Sequence, residues 1–246
     1  MSLLISTFNL ILRQPLFNAL ILLYESLPGH DFGIAVIVLT VLIRLILYPV
    51  MIQSIKSQKQ LQEIQPKIQE IQKKYKDDKQ QQAKETMALY QKQKVNPFSG
   101  CLPLLIQLPI LIALFLVFRT LQGGLDSLEL SSLYSFISSP GNIAEPMFLG
   151  LINLANPHFG LAIAAGIAQF FQTKMMTPKT SKTKQKDSGQ MAQFSNMMQK
   201  QMLYFFPAFT IFILLKIPSA VALYWMVSTL FSIAQQYLGE RKKGNS

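Results

Sequence analysis

Arg44 stands in VLTVLIRLILYPV, a stretch apolar enough for the interior of a lipid bilayer. A charge near the bilayer centre costs about 2.5–3.5 kcal/mol on insertion scales, so a retained arginine there needs a partner or a task. Its neighbours one turn away are Thr40 and Tyr48, spaced to share its helix face. Other apolar stretches carry uncharged polar residues in similar patterns. Gln107 stands alone in one of them. Gln169, Gln172 and Thr173 are three and four residues apart in the next. Trp225, Ser228, Thr229, Ser232 and Gln235 form a stripe in the last. None of these stretches holds an Asp or Glu. A guanidinium without an intramembrane acid attracts water and an anionic visitor.

The same inventory argues against bond-making chemistry. Neither HExxH nor GxSxG occurs, and both histidines, His30 and His158, fall in expected loops. Cys101 is the single cysteine, so there is no intramolecular disulfide and no basis for a metal cluster. A phosphate-cradling G-x-x-x-x-G-K loop is also missing. No cofactor is expected, and the chain is not expected to be an enzyme.

The elements that must position these side chains follow from composition. The 246 residues are 50% hydrophobic and only 14% charged, which suits a polytopic membrane protein. Spans need about 17–25 mostly apolar residues. Five are predicted, at residues 32–50, 101–119, 160–176, 202–217 and 219–238, with Pro218 between the last two. The third and fourth are short, which a locally thinned bilayer accommodates. Residues 1–31 lack the basic start of a signal peptide. They are expected to hold an interfacial amphipathic helix from about Pro15, ended by Pro28-Gly29, with a sixth span as the alternative.

Charge then sets orientation. The formal net charge is +11, with ten lysines within 51–96 and six within 174–200. The loop 120–159 has no lysine but holds Asp126, Glu129 and Glu145. Basic loops stay on the cytoplasmic side. That places 51–100, 177–201 and the short tail 239–246 in the cytoplasm, and the N-terminus outside. Within 51–100, Leu61, Ile64, Ile68, Ile71 and Tyr75 recur every three or four residues, and Ala83, Met87 and Tyr90 resume the pattern after Asp77-Asp78. The spacing predicts an antiparallel helical hairpin, with Pro66 kinking its first arm or starting a helix. Residues 177–201 read as polar, basic and flexible.

In this orientation the polar residues of four spans fall in the cytoplasmic half. Arg44 either snorkels towards the headgroups or lines a water-holding hollow closed on the outside. The company of the glutamines and the α-helical stripes favours the hollow.

Several stretches resemble the YidC/Oxa/Alb family of membrane protein insertases. They are MALYQKQKVNPFSGCLPLLIQLPILIAL, TVLIRLILYPV, LQEIQPKIQEIQKKY and FFPAFTIFILLKIPSAVALYWMVSTLFSIAQQYL, and the similarity runs from about Pro15 to Leu238. The resemblance implies an all-α membrane protein of the bacterial plasma membrane, a five-transmembrane-helix bundle around a hydrophilic groove. It also implies ATP-independent insertion and folding of newly made membrane proteins. Arg44, Thr40 and Trp225 match family groove positions, and Gln169 corresponds to a further one. Implied partners are nascent membrane proteins with hydrophobic segments and acidic flanks, anionic lipids, the ribosome and the Sec translocon. The tail GERKKGNS is short for ribosome contact, which the loops would supply. Competing classes are a transporter or channel and a ribosome-binding membrane adaptor. Against the first stand the lack of an inverted repeat and of polarity in the outer half.

Overall fold

The computed structural model describes residues 2–96, 102–120, 132–137, 145–177, 197 and 201–244. Residues 97–101 of the family-like NPFSGC run, Asp126, Glu129 and most of the basic stretch 177–201 lie outside the described residues. The chain is mostly helical.

The first helix starts earlier than Pro15. α1 (Ser2–Phe8) passes through a π-helical turn (Asn9–Arg13) into α2 (Gln14–Ser26) without interruption. Pro15 has no N–H to give to the turn before it, and that turn is π-helical, with the Gln14 N–H bonded to the Asn9 carbonyl. From Leu3 to Ser26 this rod is long and apolar enough to cross a membrane by length and composition.

α3 (Phe32–Ile46) begins at Asp31, whose Oδ1 accepts the Ile34 N–H at 2.8 Å. It does not reach Val50. The helix breaks at Leu47, and α4 (Tyr48–Lys74) leaves at an angle of 66°. Pro49 explains the break: inside a continuous helix its ring would strike the Leu45 carbonyl, whereas the first turn of a new helix tolerates it. Tyr48 therefore belongs to α4 and leaves the face of Thr40 and Arg44. Pro66, by contrast, is carried within an unbroken α4.

α5 (Lys79–Lys92) starts at Asp78, whose Oδ1 accepts the Gln81 N–H at 2.9 Å. α4 and α5 pack through Ile64, Ile68 and Val95, with Leu61, Leu89 and Tyr90 at the margin. Burial there raises the pKa of the Tyr90 phenol. The inward face of α5 differs from the expected one. Ala83 and Met87 are exposed, while Gln82 is buried and its Nε2 donates to the Gln72 carbonyl at 3.1 Å. Gln62 Nε2 donates to the Met176 carbonyl, tying α4 to the end of a later helix.

α6 (Leu102–Thr120) is followed by a two-stranded antiparallel ribbon, β1 (Met147–Phe148) and β2 (Ile152–Asn153), an exception to the all-α expectation. Leu149 and Gly150 both take positive φ, the geometry of the tightest hairpin turns. The ribbon caps the start of α3. The Leu149 N–H donates to Asp31 Oδ2, and the Phe148 ring lies where a Cβ on Gly33 would have to be.

α7 (Phe159–Met176), a second π-helical turn (Gln201–Phe205) with α8 (Phe206–Leu214), and α9 (Ser219–Gly244) complete the chain. α9 packs mainly on α7 and α3. Small buried residues, Ala162, Ala165, Ala220 and Ala222, let the helices approach closely. One apolar core joins Phe17, Leu20 and Ile21 of α2 to Phe32 and Val36 of α3, Leu114 and Phe118 of α6, and Val221 and Leu223 of α9. The two ends of α3 thus meet different surroundings: the ribbon at Asp31, and α4 with α5 beyond Leu47.

Candidate functional site

Three helices bring their polar residues together around Arg44. The residue lies about 18 Å along α3 from Phe32, at 1.5 Å per residue, and one turn before the break. Its Nε donates to Ser228 Oγ on α9 at 2.7 Å, and Nη2 reaches the same oxygen. Nη2 also donates to Gln107 Oε1 on α6 at 3.3 Å. Gln107 in turn donates from Nε2 to the Tyr224 hydroxyl, one turn before Ser228 on α9. Arg44 is 8% exposed, Ser228 2% and Tyr224 1%, so the cluster is inside the bundle.

The guanidinium is held, then, by a hydroxyl and an amide. These partners are neutral. They satisfy N–H groups and leave the charge uncancelled, since no carboxylate occurs in residues 32–50, 101–119, 160–176, 202–217 or 219–238. Among the described residues the acceptors on this buried cation are neutral, and a carboxylate in place of Ser228 would add charge–charge attraction in a low dielectric.

A second polar pair joins α7 to α9. Trp225 Nε1 donates to Gln169 Oε1 at 3.0 Å, and Gln169 is 6% exposed. Thr40 is fully buried and donates from Oγ1 to the Val36 carbonyl at 2.6 Å, one turn back on α3. Ser232 likewise donates to the Ser228 carbonyl at 3.1 Å. These hydroxyls satisfy themselves on their own helices.

Two expected residues stand apart. Tyr48 is 42% exposed on α4, beyond the break. Gln172 is half-buried on α7 and, among the described residues, joins neither hydrogen-bonded set. Tyr224, in turn, lies outside the stripe Trp225, Ser228, Thr229, Ser232 and Gln235 that the sequence marks. Its spacing of four from Ser228 is the signal that ties it to the Arg44 cluster. A cavity of about 240 Å³ opens elsewhere, lined by Asn9, Arg13, Gln14, Phe17 and Ser132.

The family model described as 60Kd inner membrane protein matches residues 23–245. Among similar curated proteins is the membrane protein insertase YidC of Clostridium tetani, 36% identical over 214 residues, covering 87% of this chain and 84% of the relative. The protein of the same name from Fusobacterium nucleatum is 36% identical over 212 residues, 86% of this chain and 87% of the relative. The membrane protein insertase MisCA of Bacillus subtilis is 36% identical over 226 residues, 90% of this chain and 75% of the relative.

Proposed function

The chain belongs to the 60Kd inner membrane protein family, the YidC/Oxa/Alb insertases, and from that premise we propose how it inserts membrane proteins. It is an insertase of the bacterial inner membrane, and its substrates are membrane proteins. In our reading α3, α6, α7, α8 with its π-helical turn, and α9 are the five spans. The Asp31 end faces outside. α4 and α5 form a hairpin on the cytoplasmic side, in line with the lysines they carry.

Arg44 is the anchor of a groove that opens towards the cytoplasm and lipid. An incoming apolar segment of about 20 residues gains roughly 6–12 kcal/mol on entering lipid, so the endpoint is downhill. The obstacle is the polar flank, which must cross first and costs several kcal/mol per bare charge. A carboxylate of that flank displaces Ser228 from the guanidinium and is held there, part-way across the membrane, as an ion pair. Ser228 and Gln107, the latter bonded to the Tyr224 hydroxyl, hold the arginine until then. The membrane potential pulls a negative flank outward by about 2.3 kcal/mol per charge per 100 mV, so no nucleotide is consumed. Gln169 and Trp225 line the same groove from α7 and α9.

One observation carries this reading: a buried guanidinium whose described partners are all neutral. Its test is insertion of acid-flanked and neutral-flanked substrates into vesicles reconstituted with the chain. Arg44→Lys should retain insertion of the acidic flank. Arg44→Ala should lose about 10- to 100-fold, the worth of one charge-assisted contact. Equal rates for both variants and the parent would remove Arg44 from the mechanism.

A further inference from the structure

Gln235 lies on α9 seven residues after Ser228. Ser228, Ser232 and Gln235 are spaced four and three apart, so they share one face of the helix. Ser228 meets Arg44. Ser232 turns back onto its own helix. Gln235 does neither. It is 8% exposed, and both its Nε2 and its Oε1 are buried without a hydrogen-bond partner among the described residues. A primary amide so placed loses the hydration of a donor and an acceptor at once without replacing it, a cost that leucine would avoid. The unsatisfied pair therefore calls for a visitor with one acceptor and one donor side by side.

We propose that Gln235 binds the peptide backbone of the incoming flank, its Nε2–H and Oε1 taking the C=O and N–H of one extended residue. The inference rests on the groove reading above and adds a second contact to it. Every residue but proline presents this same pair of groups, so Gln235 is indifferent to flank sequence, whereas Arg44 selects charge. Helical rise separates Ser228 from Gln235 by roughly 10.5 Å. An extended chain advances about 3.3 Å per residue, so the residue held at Gln235 is about three positions from the carboxylate at Arg44. A flank arriving from the Gly244 end of α9 meets Gln235 first. The backbone is gripped before the charge is captured.

Two measurements on vesicles holding the full chain decide this. In the first, Gln235→Leu and Arg44→Ala are compared on one substrate with an Asp in its flank and one with Asn. Gln235→Leu should slow both substrates by the same factor, about 3- to 10-fold. Its thermal midpoint in detergent should stay level or rise, because an unsatisfied amide has gone. Arg44→Ala should slow the Asp flank only. Wild-type rates for Gln235→Leu, a loss confined to the Asp flank, or a fallen midpoint would each overturn the assignment. An Arg44→Ala variant without effect beside a slow Gln235→Leu would instead reject the charge role and keep the backbone contact. In the second, a proline, which lacks the N–H, is walked along the Asp-containing flank. Insertion by the parent chain should dip when proline is about three residues from the Asp, and a flat profile would overturn the proposal independently of any variant's folding.

Discussion

Between Trp225 and Gln169 a single hydrogen bond of 3.0 Å ties α9 to α7, and it can be weighed by itself. Trp225→Phe keeps most of the ring and deletes the donor, leaving a buried Oε1 unpaired. The expected loss is about 1–2 kcal/mol, read as a lower thermal midpoint in detergent. Adding Gln169→Leu should recover most of it, since removing both partners of a buried pair is nearly neutral. A double variant no better than the single would mean that Gln169 has another partner. Such pairings mark the limit of what spacing reveals. Intervals of three and four place Ser228, Ser232 and Gln235 on one face of a helix. They do not say that Ser228 meets Arg44, that Ser232 satisfies itself, or that Gln235 is left open. Those outcomes depend on which helix lies opposite, a tertiary fact. Tyr224 shows the same limit, since its hydroxyl finds Gln107 only because α6 packs there.

At the scale of elements, α7 and α8 approach each other over Gly166. A Cβ there would overlap the Ile211 side chain and come within 3.4 Å of the Pro207 carbonyl. Gly166→Ala should therefore cost about 1–3 kcal/mol through overpacking. Ile211→Val in the same chain should return part of that cost by shortening the obstructing side chain. A thermal midpoint unmoved by Gly166→Ala would show that α8 shifts freely on α7. Apolar periodicity could read α4, where Ile64 and Ile68 are regularly spaced and buried. It misread α5, whose few apolar residues let Ala83 and Met87 pass for a seam. The buried position is Gln82, held by a carbonyl of α4, and no hydropathy pattern can announce that. Leu47 was hidden for a related reason. The first span is expected to run on to Val50, yet the steric demand of the Pro49 ring acts upstream, so the bend comes before it and carries Tyr48 away from Arg44.

For the whole molecule, the long first helix can meet the bilayer in two ways. Length and apolarity from Leu3 to Ser26 would allow it to cross. Its tethers argue otherwise. Gln14 Nε2 and Asn18 Nδ2 both donate to the Ser132 carbonyl, at 3.0 and 3.1 Å, and the Tyr134 N–H donates to Asn18 Oδ1 at 2.7 Å. Residues 132–134 belong to the segment between α6 and α7. Were the helix upright with Ser26 at the surface, Asn18 would lie roughly 12 Å deep and Gln14 roughly 18 Å deep at 1.5 Å per residue. The connecting segment would have to follow them into hydrocarbon, where irregular backbone facing lipid is not tolerated. A helix lying along the outer surface keeps those tethers at headgroup level. It also turns Leu3, Leu4, Ile5, Leu10 and Ile11, all more than half exposed in the protein, towards the acyl chains. We therefore expect Ser6→Cys, in a Cys101→Ser background, to react with a membrane-impermeant thiol reagent added outside intact cells. Reaction only after the cytoplasmic face is opened would make the helix a sixth span. It would also place the start of the rod on the side where the charge pattern puts α4 and α5.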